Sequence, residues 1–378
     1  MTAHPLNTKA AATGAIQNCN IEPMSVLPKN LASVTVNAQT QTSMATRPTC
    51  STILVTGGAG YIGSHTVLAL RDAGHSVVVV DDLSTGFAAA LPDDVPLIVG
   101  DIANAAVLAR LFAEHAIGAV MHFAGSILVP ESVADPLKYY RNNTAASGTL
   151  VAAAVAAAVP HFVFSSTASV YGIPGIVPIP EDLPKAPINP YGASKLMTER
   201  MLADVAVAHP MNYAVLRYFN VAGADAAGRS GQSTAGATHL VKVAVEAALG
   251  LRDHVAIYGS DYDTRDGTGV RDYIHVSDLA DAHVAALAAL QANPQRSLTL
   301  NAGYGRGFSV REVLDAVDRV CGVRIERRLA GRRAGDPPTL IARNRDILAA
   351  LDWQPKRDDL ETIIGDALAW ERMLMQKN

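Results

Sequence analysis

The chain has 378 residues, 49% of them hydrophobic, and a formal net charge of -4, which is enough for a large core and a smaller second lobe. With a sequence pI of about 6.2 it lacks the overall basic field that nucleic acid would call for, and its longest apolar run, Leu150 to Val159, has about half the length of a membrane span. Cys19, Cys50 and Cys321 show neither metal-ligand spacing nor an even disulfide set, so a reducing cytoplasmic setting without a metal site is expected.

Residues 1–50 are rich in Ala, Thr, Asn and Ser without periodicity and predict a disordered extension. They lack the charged start and apolar stretch of a secretory signal; an organellar presequence stays open, as does Met44 as an alternative start. The β-rich run Ser51 to Thr56 then leads into Gly57, Gly60, Tyr61, Ile62 and Gly63 and an amphipathic helix through about Asp72. This is strand, phosphate loop, helix. Gly57 suits the tight turn, Gly60 lets backbone N–H groups approach a pyrophosphate, and Gly63 allows close helix–strand packing. A second strand, Ser76 to Val80, ends at Asp81, placed to accept hydrogen bonds from an adenosine ribose and to repel a 2′-phosphate, which favours NAD over NADP. A solvated acidic turn is the alternative. Asp101 and Ile102 follow a third strand, Leu97 to Val99, within reach of an adenine or in an ordinary turn.

Beyond these, a helix over 103–113, a strand from Ala119 to Phe123, a helix over 140–159 and a strand from His161 to Ser165 alternate as a parallel sheet requires. The helix over 140–159 is apolar nearly all round, so its outer side calls for a partner, most simply a second subunit. Tyr191 and Lys195 stand one helical turn apart, where the ammonium would favour the phenolate and make Tyr191 a general base; by itself the pair is weak evidence. After the strand from Asn212 to Arg217 the chain loosens. The expected fold is α/β: a Rossmann-type doubly wound parallel sheet (residues 51–221, with later segments returning to it) and a smaller mixed α/β substrate-binding lobe (mainly 222–378).

The strings TGGAGYIGSH, HFAG, SSTASVYG, YGASK, RYFN and GVRDYIHVSDLADAH occur in this order. On them the chain, from about Thr52 to Trp370, resembles the extended short-chain dehydrogenase/reductase family, most closely its UDP-glucose 4-epimerase branch. The resemblance implies NAD as cofactor, a UDP-sugar as substrate and a homodimer built on the helix over 140–159 and the one starting at Tyr191. It implies a triad in which Tyr191 takes the proton of the sugar O4 hydroxyl, Thr167 bridges the two groups, and Lys195 holds the nicotinamide ribose and lowers the Tyr191 pKa. Thr167 has the alternative of a strand-end backbone partner. Cofactor contacts fall on Gly57, Gly60, Tyr61, Ile62, Gly63, Asp81, Asp101, Ile102, Phe123, Ala124, Asn142, Tyr191, Lys195 and Tyr218.

On the substrate side the resemblance puts Arg271 and Arg333 on the diphosphate, with Asn220, Tyr258 beside uracil and Asp336 near the uridine ribose. Arg333 lies in a basic run and has a merely solvated face as its alternative. Three positions depart from many relatives. Ile127 stands where lysine is common, His239 replaces an asparagine and either donates to the diphosphate or caps the next helix, and Leu340 occupies the position thought to gate an N-acetyl pocket, leaving substrate breadth open. A UDP-pentose or UDP-uronate 4-epimerase stays open too. Ala168 and Ser169 stand where nucleotide-sugar dehydratases carry acids, which disfavours elimination, and a non-catalytic NAD-binding regulator would not need the hydroxyl, Tyr and Lys set.

Overall fold

The computed structural model describes residues 51–377 apart from Ala235 and Ala334; the expected N-terminal extension lies outside the described residues. The chain begins with β1 (Thr52–Thr56), α1 (Tyr61–Asp72), β2 (Val77–Asp81), β3 (Leu97–Val99), α2 (Ala105–Glu114) and β4 (Ile117–His122). Strands β1, β2 and β4 are runs of Val, Ile, Leu and Met that are buried on both faces, as strands flanked by crossover helices must be. Helix α2 starts where the Asn104 side chain accepts from Ala106 N at 3.0 Å, an N-cap satisfying a first-turn donor.

Next come α3 (Val129–Ala134), α4 (Pro136–Tyr139), a π-helical turn at Tyr140–Ala145, α5 (Ala146–Ala156) and β5 (His161–Thr167). The single helix expected over 140–159 is therefore divided, because the π turn leaves the Asn143 carbonyl to side-chain donors: Ser147 Oγ and Thr198 Oγ1 each bond it at 2.7 Å. A long helix, α6 (Pro190–Ala208), is capped by Asn189 accepting from Gly192 N at 2.9 Å and leads to β6 (Asn212–Tyr218).

Among the described residues, seven strands form one parallel sheet in the order β10-β6-β5-β4-β1-β2-β3. Its last member, β10 (Leu298–Ala302), returns from late in the sequence after α8 (Val276–Ala292), which packs on α1. The order reverses between β1 and β4, and the crevice at the carboxyl ends of those strands is where an open α/β sheet binds its ligand.

The remaining elements build a smaller mixed layer. β7 (Asn220–Ala222), β9 (Val270–His275), β11 (Gly307–Ser309) and β13 (Thr339–Leu340) form a sheet around β9, while β8 (Val255–Tyr258) pairs with β12 (Arg327–Ala330). Helices α7 (Leu240–Ala248), α9 (Val310–Cys321) and α11 (Leu360–Lys377) share one apolar core, and α10 (Arg345–Ala350) packs by β10. Among the described residues no helix is long and apolar enough to cross a membrane, and no group of His, Cys, Asp and Glu could hold a metal.

Candidate active site

A cavity of about 580 Å³ runs along the sheet's carboxyl edge, lined by the glycine loop, the ends of β2, β4, β5 and β6, and residues of β7. Gly57 adopts φ +68°, and a Cβ there would stand 2.5 Å from Ala124 N; at Gly63 a Cβ would stand 2.1 Å from the Gly57 carbonyl oxygen. Only glycine keeps the loop this close to β4 and to its own helix. Gly60 caps α1 without a side-chain bond and no acid stands in the first turn, so the first-turn N–H groups, which have no intrahelical acceptor, are available to an anion. Asp81 accepts from Ala59 N and Leu83 N, both at 2.9 Å, tying the end of β2 to the loop while spare lone pairs remain for ribose hydroxyls. This donor and acceptor set fits a dinucleotide.

At the other end, Thr167, Tyr191 and Tyr218 converge. Thr167 and Tyr218 are register partners on β5 and β6, and both line the cavity beside the Tyr191 phenol, which is only 6% exposed. Thr167 also accepts from Ser169 N at 3.1 Å, so its strand-end role and its place beside Tyr191 coexist. Lys195, 2% exposed, donates to the Ser165 carbonyl at 3.1 Å and lies 4.9 Å from the Phe164 ring centroid.

Burial dominates at Tyr191. Burial pushes the Tyr191 phenol well above its ordinary value, the neighbouring Tyr218 adds to this, and the Thr167 bond opposes it; Lys195 is not among the causes. Lys195 is itself brought down to about 8 by burial, against the opposing pull of Glu199, and is still a cation at neutral pH. A further positive charge in the cavity, beside that of Lys195, would favour the phenolate.

The remaining expected residues divide into two sets. Tyr61, Ile62, Asp101, Ile102, Phe123, Ala124, Asn142, Asn220 and His239 line the cavity with the glycines, Asp81, Thr167, Tyr191 and Tyr218, while Lys195 lies behind the lining. His239 is the N-cap residue of α7 but makes no side-chain cap bond, which removes the capping alternative; burial lowers its pKa and leaves it neutral. The second set stands apart in the smaller layer. Arg271 donates to the Val270 carbonyl at 2.9 Å and faces Asp336 at 3.8 Å, Arg333 lies over the Tyr258 ring at 3.6 Å, and Leu340, paired with Arg271 across β9 and β13, is 8% exposed among Val170, Tyr171 and Phe219. Arg333 is thus a stacked cation as well as a member of a basic run.

Sequence reasoning missed several residues. Asn143 donates to the Ser126 carbonyl at 2.9 Å and to Ser194 Oγ at 3.1 Å, and accepts from Ser126 N at 2.8 Å, joining the cavity wall to α6. His122 contacts Thr56 Oγ1 at 2.7 Å and Ser147 Oγ at 2.8 Å, and burial followed by the Lys195 charge takes it down to about 3, so it is neutral. Asp82, Glu131, Lys138, Gln232 and Thr234 also line the cavity. The HFAG string marked His122, but no local pattern marked the others.

The model of the NAD dependent epimerase/dehydratase family matches residues 53–303. A UDP-glucose 4-epimerase of Azospirillum brasilense is 59% identical over 324 residues, covering 86% of this chain and 93% of the relative. The structure of UDP-glucose 4-epimerase from Brucella ovis in complex with NAD superposes with a TM-score of 0.81 at 44% identity, over 85% of this chain and 98% of that one. The Bifidobacterium longum enzyme in complex with NAD+ and UDP gives 0.82 at 38% identity, over 85% and 98%. The cavity with its glycine loop and convergent hydroxyls therefore sits in a chain that belongs to the NAD dependent epimerase/dehydratase family.

Proposed function

We propose that this protein epimerises C4 of a UDP-hexose, interconverting UDP-glucose and UDP-galactose with NAD that is not consumed. The observation that carries the reading is the meeting of the Thr167, Tyr191 and Tyr218 hydroxyls at one end of a cavity whose other end is a glycine-loop anion cradle. NAD when bound supplies the hydride acceptor and the positive charge that favours the phenolate. Tyr191 holds the proton of the O4 hydroxyl at its phenol oxygen, Thr167 relays it, and Lys195 fixes the ribose by its remaining donors. Buried Phe164 and His122 exclude water behind them. The cavity would have to let a 4-ketose, formed by loss of the C4 hydride, turn so that its other face could be reduced, which would give the epimer.

In this reading the smaller layer binds the nucleotide: Arg271 and Arg333 serve the diphosphate, Tyr258 the uracil, Asp336 the ribose, with Asn220 and His239 at the cavity side and Leu340 behind them. The guanidinium of Arg333, now on Tyr258, would give way to the base. The exposed face of α6, where Met197 is 47% and Val207 90% exposed, together with α5, is assigned to a homodimer.

The test is incubation with UDP-galactose without added reductant, followed by product analysis. UDP-glucose is the expected product, and Tyr191→Phe should lower turnover by about 10² to 10⁴ with NAD still bound. No epimer from the wild type overturns the reading; near-normal turnover in the variant removes Tyr191 from the mechanism.

A further inference from the structure

The charge balance of the cavity is unfavourable to what it is read to hold. Among its described lining residues Asp81, Asp82, Asp101 and Glu131 are acidic, while Lys138 alone is a lysine or arginine; the Lys195 ammonium stands behind the lining, 2% exposed. A dinucleotide adds a pyrophosphate to these carboxylates, and the partial charges at the start of α1 serve only the phosphates near the loop. The wall from Ser126 to Leu128, opposite the sheet edge, carries no charge, and Ile127 there is an apolar side chain 45% exposed. A ligand's polar groups along that wall need a donor from elsewhere.

Lys138 is held beside this wall by fixed groups. The buried Tyr139 hydroxyl shares its one proton between the Leu128 carbonyl at 2.6 Å and Glu131 Oε2 at 2.8 Å, and the other Glu131 oxygen receives Lys138 Nζ at 2.5 Å. One turn later, Asn142 donates to Ser126 Oγ at 3.1 Å. The Tyr139 ring stands edge-on to Tyr191, with centroids 6.3 Å apart, so the Glu131 carboxylate that holds the ammonium is joined through Tyr139 to the Tyr191 side of the cavity. Glu131 occupies one N–H of Lys138 and leaves others for a ligand.

We propose that Lys138 is a cofactor-positioning cation, which reaches the ribose-phosphate of the bound dinucleotide nearest Tyr191 and supplies the charge that Ile127 does not, while Glu131 holds the ammonium back when the cavity carries no ligand. A half-exposed ion pair with no ligand role is worth little, and it makes a different prediction. If the pair were only structural, removing either partner would change NAD affinity in the same direction or not at all. If Lys138 serves the ligand, the two removals act in opposite directions.

The proposal rests on the NAD-binding reading, and the experiment separates the two. NAD and UDP dissociation constants are measured on the full chain by equilibrium dialysis across a salt series. Lys138→Met should weaken NAD about tenfold, with a shallower salt dependence and UDP binding unchanged. Glu131→Gln, which keeps the Tyr139 bond but frees the ammonium, should tighten NAD about two- to fivefold. Adding Ile127→Lys to Lys138→Met should recover most of the loss. Wild-type NAD affinity in Lys138→Met, weakening shared by Glu131→Gln, or a loss confined to UDP overturns the assignment. A wild type that binds no NAD overturns the cofactor reading itself.

Discussion

At the scale of the residue, Lys195 is the group whose environment most changes its chemistry. Its ammonium is buried, and burial brings the pKa from 10.5 to about 8, with Glu199 opposing. The folded protein therefore releases this proton at lower pH than the unfolded chain. If the ammonium is needed to hold the ribose, kcat/KM should fall as pH rises through about 8. Stability moves the other way. Between about 8 and 10.5 the unfolded chain binds more protons at this position, so the contribution of Lys195 to stability rises with pH. Denaturant titrations of wild type and Lys195→Met across that window should show the difference shifting in favour of the wild type. A basic limb near 10, or a constant difference, would remove the buried ammonium from the account.

At the scale of the element, β5, β6 and α6 are locked together next to Thr167 and Tyr218. Glu199, one turn beyond Lys195 on α6, receives Arg217 Nη2 at 2.6 Å and Ser166 Oγ at 2.5 Å, and Arg217 Nη1 donates to the Tyr171 phenol at 2.8 Å, which in turn donates to Asn301 at 2.7 Å. Ser166 precedes Thr167, and Arg217 precedes Tyr218 at the paired position of the neighbouring strand, so this ion pair sets the spacing of the site. Glu199 and Arg217 are 7% and 4% exposed. Arg217→Ala would strand a buried carboxylate, and urea denaturation should show a loss of about 3–5 kcal/mol. A loss under about 1 kcal/mol, as for an exposed pair, would contradict that burial. The motif string containing Arg271 is likewise mostly structural: Asp272 accepts from Tyr304 N, Gly305 N and Ala342 N, and Asp278 is bonded by Tyr304, Lys356 and Arg357. The π turn before α5 shows the limit of periodicity, because an apolar helical pattern over 140–159 does not report where a side chain will claim a backbone carbonyl.

At the scale of the whole molecule, the outer faces of α5 and α6 give the proposed dimer. Light scattering should give about twice the 39.6 kDa chain mass, and Met197→Asp, which puts a charge on the α6 face, should shift the population toward monomer. A wild-type monomer at micromolar concentration would remove this assembly. The sequence by itself determined the parallel α/β sheet, the glycine loop and the one-turn spacing of Tyr191 and Lys195 on a helix, because these depend on local features: buried strand runs, a turn only glycine can make, and helical periodicity. Only the tertiary structure decided that β10 joins the sheet edge, that Asn143 braces the wall of the cavity that Lys138 lines, and that burial raises the Tyr191 pKa. Each of these depends on burial and on partners far away in the chain, and neither desolvation nor long-range proximity is written in the spacing of neighbouring residues.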